Sequence, residues 1–318
     1  MKQLRVFSPF RHRDFRLWFF GQGFSLIGTQ MQNVALAWTV QTMTGSAADL
    51  GLVAFCTGLP VAVFGLFGGV VSDRFGRSRL LAMVQCVLMA CAAILATASF
   101  GGFMSMWLVC GVSFVMGTVA SVDVPAQQAL LADIVDDENR QGAVALNSTM
   151  YTSSQFIWPT VAAAGIALLG VSACFALNAA SFVVVIVCLL LMAPGALARP
   201  CAPVDSVMDS LRQGPAWVLA HRESWESMLA TAFLSFFVLP ISVILPAFSV
   251  SSFGEDAGAY GALVASGGVG AFLVSLLLAA RPSLAFALRP ASVFPVVSFA
   301  TASLAWSGAG EHLVLVGA

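Results

Sequence analysis

Apolar runs long enough to cross a membrane follow one another along most of this chain, separated by short polar breaks. A transmembrane helix needs about 20 mostly apolar residues, and the runs divide at that length. Residues 17–40 and 50–72 each hold one span. Residues 80–122 are too long for one helix and break at Ser99, Phe100, Gly101 and Gly102, giving spans three and four. Residues 141–198 break near Gly170, giving spans five and six, and 227–254, 257–280 and 290–310 supply spans seven, eight and nine. A tenth begins at His312. The pattern predicts an all-α integral membrane protein of nine spans plus the start of a tenth. Its expected parts are an N-terminal six-helix bundle (1–193), a polar cytoplasmic linker (194–226) with a short interfacial helix at 207–219, and a partial second bundle (227–318).

Composition agrees. Of 318 residues, 59% are hydrophobic and 9% charged, against about 25% charged in soluble domains, and mean hydropathy is +0.92. So little charge cannot coat a water-facing surface, which excludes a cytosolic enzyme, a disordered chain and a nucleic-acid binder. The lipid bilayer is the expected partner, together with a small-molecule substrate, and a monomer is expected.

The placement of the charges carries more than their sum. With the N-terminus inside, all 14 Lys and Arg fall in inside loops, whereas the outside loops hold only Asp49, Glu255, Asp256 and Glu311. This is the positive-inside distribution, and it predicts a multi-pass inner-membrane (plasma-membrane) protein with a cytoplasmic N-terminus. The first span is too long for a signal-peptide core and carries Gln22, Thr29, Gln30, Gln32 and Asn33, so it is retained. No cysteine spacing suits a metal. No paired-carboxylate, H-E-x-x-H or Ser/His constellation lies in a span, so neither an enzyme nor a cofactor is expected.

One inside loop reads Gly69-Val70-Val71-Ser72-Asp73-Arg74-Phe75-Gly76-Arg77-Ser78-Arg79. Gly69 permits close helix approach, Asp73 can pair with Arg74 or Arg77 or face a helix N-terminus, and Gly76 permits the turn. The loop resembles the signature of the major facilitator superfamily between spans two and three, departing at Val71 and Ser78. A second stretch, Asp123-Val124-Pro125-Ala126-Gln127-Gln128-Ala129-Leu130-Leu131 followed by Ala143-Val144-Ala145-Leu146-Asn147-Ser148, is similar to the transmembrane secretion effector branch, which includes enterobactin and macrolide exporters. That branch usually has Arg where this chain has Gln127. In span five Pro159 matches a common exporter element, whereas Trp158 replaces a glycine.

The resemblance implies a major facilitator fold of two six-helix bundles that rock around a central site. It also implies a conformational latch of Gly69, Asp73, Arg74, Gly76, Arg77 and Arg79. Such carriers have two complete halves, so the second bundle here is expected to be incomplete and the chain a fragment of a longer carrier, with a degraded paralogue as the rival.

Polar phase suggests the cavity. Gln22, Ser25, Thr29 and Asn33 share one face of span one, and Asn147, Tyr151 and Gln155 one face of span five. Two interpretations stay open for each residue, a cavity wall or hydrogen-bonded glue between helices. Trp18, Phe19 and Phe20 are assigned to the interfacial belt. A Phe-rich cavity without a fixed cation suits an amphiphilic or aromatic solute, siderophore-like or drug-like, exported by alternating access. The alternatives are import of a small neutral metabolite, or a non-transporting scaffold or non-functional fragment. Asp123, placed at the inner end of span four, is the candidate coupling group, with pairing to an inside Arg as its rival role.

Alkaline phosphatase fused after Asp49 is expected to be active and after Arg140 inactive; the reverse pattern removes the orientation. The DNA beyond the Ala318 codon is expected to continue, in frame or one base shifted, into the remaining spans; unrelated sequence there removes the fragment.

Overall fold

The computed structural model describes residues 7–74, 77–192, 221–222, 225, 228–229 and 243–251, all of them helical or in short connections, with no strand among them. Six long helices account for most of this: α1 (Arg13–Thr44), α2 (Ala47–Arg74), α3 (Arg77–Gly101), α4 (Met106–Asp133), α5 (Asp137–Leu169) and α6 (Val171–Leu190). A short 3-10 helix, Ser8–Arg11, precedes α1. The breaks expected at Gly101, Gly102 and Gly170 are where the chain turns. Spans seven to nine fall largely outside the described residues.

Each turn at one end of the bundle uses a glycine with positive φ: Gly45 (63°), Gly102 (69°) and Gly170 (82°). Side chains with a Cβ rarely adopt this conformation, which lets the chain leave a helix sharply. Gly45 donates its N–H to the Gln41 carbonyl (2.8 Å) as the α1 cap. Ser105 caps α4, its hydroxyl accepting from Leu108 N–H (3.3 Å). The opposite end carries Arg11, Arg13, Arg16, Arg77, Arg79 and Arg140. It is called the basic end below, the other the glycine end. At the basic end Arg77 pairs with Asp133, joining α3 to α4. His12 meets Asp136 at 3.4 Å and Asn139 at 3.3 Å, tying the N-terminal segment to the α4–α5 turn.

Among the described residues four helices are long and apolar enough to cross a membrane: α2 over residues 47–65, α3, α4 and α6. In α1 and α5 long apolar stretches are interrupted by amides and hydroxyls, and these two helices pack on each other. Around them α6 bridges α1 and α3, while α4 lies between α2 and α3. Glycines set the closest approaches. A Cβ on Gly28 would meet Ser181 Oγ at 2.5 Å and Asn178 Oδ1 at 2.6 Å, and one on Gly117 would collide with the Thr57 carbonyl.

Two apolar clusters occupy the ends of the bundle. Near the basic end Phe15, Trp18, Leu81, Leu130, Leu131 and Leu189 are buried together. Near the glycine end Ala35, Val40, Leu95, Val109 and Phe175 form the other, with Val243, Leu245, Ala247 and Val250 of the helical segment 243–251 packed against it. Trp18 corrects an expectation. It is 3% exposed and belongs to the core because α1 begins at Arg13, which places Trp18 inside the bundle; Phe20, at 58%, is the exposed ring.

Gly117→Leu is expected to cost about 1–3 kcal/mol through overpacking against α2, lowering the melting temperature in detergent by several degrees. Gly111→Leu on the same helix, where a Cβ meets nothing within 4 Å, is expected to melt close to the parent; equal melting of the two variants contradicts the α2–α4 packing.

Candidate functional site

Between the two apolar clusters runs a chain of polar side chains drawn from four helices. Gln22 Nε2 (α1) donates to the Tyr151 hydroxyl (α5) at 3.2 Å. Tyr151 donates in turn to Gln127 Oε1 (α4) at 2.7 Å. Gln127 Nε2 donates to Asp123 Oδ2, one turn back on the same helix, at 2.8 Å. The other carboxylate oxygen, Oδ1, accepts from Gln85 Nε2 (α3) at 3.3 Å. Gln22, Gln85 and Gln127 are all buried.

The directions of these bonds are dictated from one end. An ionised carboxylate only accepts, so both glutamines turn their NH2 groups toward Asp123. Gln127 then presents its Oε1 outward, which obliges Tyr151 to donate and leaves the phenolic oxygen free to accept from Gln22. At 1.5 Å rise per residue, Gln22 and Gln85 lie about 14 and 12 Å from the first residues of their helices, and Asp123 lies about 15 Å from the last residue of α4. The chain therefore sits at one depth across the bundle.

This depth corrects the placement of Asp123. Span four was expected to end beside it, yet α4 continues through Pro125 to Asp133. Proline removes one N–H from the helix ladder, but Ala126, Leu130 and Leu131 beyond it are buried against neighbours, which carries the helix on. Among the described residues Asp123 is held by two neutral amides and not by an arginine, and Arg77 is engaged with Asp133.

The remaining residues of the two polar faces divide. Gln22 and Tyr151 come together. Ser25 is buried, Thr29 half-buried, and Asn33 exposed with its amide on Gln30 Oε1 (3.2 Å). Asn147, one turn before Tyr151, is 3% exposed and its Oδ1 has no hydrogen-bond partner among the described residues. Gly69 lies within α2; the side chains of Gln155, Asp73 and Arg74, and Gly76, lie outside the description. Of the loop residues, Arg77 bonds across to α4 and Arg79 is exposed.

Sequence phase missed Gln85 and Asn178. Asn178 (α6) donates to Gln32 Oε1 (α1) at 2.8 Å, and Gln32 Nε2 reaches Met116 Sδ (α4) at 3.3 Å, forming a second polar knot nearer the glycine end. Gln85 and Asn178 are each the single amide of their helix. An isolated amide in a run of hydrocarbon length requires an internal partner, and that was the available signal.

Comparison with known proteins agrees with this architecture. A family profile described as transmembrane secretion effector matches residues 5–316. Macrolide efflux protein A of Streptococcus pyogenes is 22% identical over 79% of this chain and 62% of its own length. The staphyloferrin A transporter of Staphylococcus aureus is 26% identical over 54% of this chain and 44% of its own. The chain thus spans less than two thirds of the length of these relatives. Among solved structures, a bacterial homologue of the human lysosomal transporter Spinster, in an inward-facing and unoccupied conformation, superposes with a TM-score of 0.64 at 16% identity, covering 95% of this chain and 74% of that one. A peptide transporter POT superposes with a TM-score of 0.54 at 15% identity, covering 88% and 70%. At such identities these two similarities speak for the fold alone, whereas the family profile spans nearly the whole sequence: the protein belongs to the transmembrane secretion effector family of major facilitator transporters.

Proposed function

We propose that this chain works in the export of a small amphiphilic or aromatic solute, siderophore-like or drug-like, across the inner membrane by alternating access. The observation that carries this is the α1–α5 seam. There Gln22 and Tyr151, one polar residue from each helix, meet at one depth and lead through Gln127 to a carboxylate with no cation bonded to it among the described residues. A bulky, largely uncharged solute can exchange hydrogen bonds with the Asn147 carbonyl oxygen and the amides near it, whereas an anion would lack a counter-charge. The names of the relatives, a macrolide efflux protein and a siderophore transporter, favour the same class.

Asp123 is the proposed coupling group, since it is the acid at the centre of the seam. The loop Gly69–Arg79 is the proposed latch between bundles on the cytoplasmic side. The contact of residues 243–251 with the cluster near the glycine end supports a state closed toward the outside. The working unit is proposed to be a monomer with its N-terminus in the cytoplasm.

In vesicles carrying the protein, Asp123→Asn is expected to reduce pH-gradient-driven efflux of a labelled macrolide by about tenfold or more, the size of a coupling energy of 1–3 kcal/mol, while solute exchange without a gradient persists. Tyr151→Phe removes the half-buried hydrogen bond to Gln127, of net value about 1 kcal/mol, and is expected to slow both processes several-fold. Asp73→Asn is expected to impair efflux without altering its dependence on the gradient. Net uptake in place of efflux, or unchanged efflux in Asp73→Asn and Asp123→Asn alike, overturns these assignments.

A further inference from the structure

The two oxygens of Asp123 are not equivalent. Oδ2 anchors the relay that passes through Gln127 and Tyr151 to Gln22. Oδ1 meets only Gln85, and there the bonding is lopsided: Gln85 gives its NH2 to the carboxylate while its own Oε1 is buried with no hydrogen-bond partner among the described residues. A buried acceptor left empty is unfavourable, and it lies on the same planar amide that faces Oδ1.

We propose that Gln85 is the positioning residue that accommodates a proton on Asp123. The proton adds to Oδ1, and the Gln85 amide turns over so that Oε1 accepts the new O–H. Oδ2, now the carbonyl oxygen of the acid, goes on accepting from Gln127. Protonation on Oδ2 would instead oblige Gln127, Tyr151 and then Gln22 to reverse in sequence, because Gln127 and Tyr151 each have donor and acceptor committed and Gln22 already donates to Tyr151. One amide turning on α3 thus absorbs the change of charge, and the links among α1, α4 and α5 stay in place. The inference rests on the coupling role of Asp123 proposed above.

The ionisable surroundings leave this exchange to the amides. From α5 the titratable group at the site is Tyr151, which donates away from the carboxylate to Gln127. On α3 the cation Arg77 is engaged by Asp133, about 15 Å further along α4. On α2, Asp49 lies in the first turn, at the glycine end; the Asp73 and Arg74 side chains are outside the description. Within α6 no Asp, Glu, Lys, Arg or His occurs.

Infrared difference spectroscopy of the purified protein in lipid nanodiscs, titrated with pH, tests this without a substrate. A carboxylic-acid C=O band that disappears in Asp123→Asn identifies the group. In Gln85→Met, which matches the side chain in length but cannot hydrogen-bond, the midpoint of that band is expected to move upward by about one pH unit, because a charge-assisted bond is lost from the ionised form. Its frequency is expected to shift as well. Tyr151→Phe is expected to leave the frequency nearly unchanged. If Gln85→Met does not accumulate, Gln85→Asn, which withdraws the amide by one methylene, is expected to give the same changes in smaller measure. A band assigned to Asp123 whose midpoint and frequency are indifferent to both Gln85 variants overturns this proposal and leaves the coupling role standing. The absence of any titrating band from Asp123 overturns both.

Discussion

A polar group surrounded by lipid and protein must find its partner inside the protein, and in this bundle that requirement acts most strongly on one carboxylate. Asp123 accepts from two amides on two helices, and its inability to donate sets the direction of each bond out to α1. Four of the six helices are thereby held in one register by a group that contributes little to apolar packing. Asp123 is half-buried and bonded to no cation among the described residues, and a charge drawn away from water is costly unless hydrogen bonds compensate, so the surrounding glutamines favour its presence at that depth.

The apolar architecture supplies the enclosure. The clusters at the two ends confine the polar chain to a band between them, and the helices come close enough for short amide side chains to reach one another because glycine occupies the tight crossings. Gly28 faces Asn178, whose amide meets Gln32 on the same helix as Gly28. Close approach and hydrogen bonding are therefore one feature: a larger side chain at Gly28 would separate the partners that satisfy each other's polar atoms.

Transport in such a frame needs a rigid bundle with a few groups able to change state. The bonds among Gln22, Tyr151 and Gln127 are mutually committed, which favours rigidity. Two of the unsatisfied acceptors among the described residues, on Gln85 and Asn147, are where exchange near the site costs least, one beside the carboxylate and the other on the same face of α5 as Tyr151.

Much of this was legible beforehand because hydrophobic length and glycine placement are local properties. The helix breaks at Gly101, Gly102 and Gly170 and the common face of Gln22 with Ser25, and of Asn147 with Tyr151, follow from chain geometry alone. Helical phase states which residues share a face, but not what that face meets. Hence Trp18 was assigned to the membrane interface although it is core, Asp123 was placed at a helix end although α4 runs on through Pro125, and Gln85 and Asn178 passed unnoticed as single amides. The sequence by itself determined the six described long helices, their breaks and the family, since those depend on residues adjacent along the chain. Only the tertiary structure decided that, among the described residues, Asp123 is answered by Gln85 of α3 as well as by Gln127 one turn along its own helix, and not by an arginine, because a partner on another helix is chosen by the distance between helices, and that distance is set by packing.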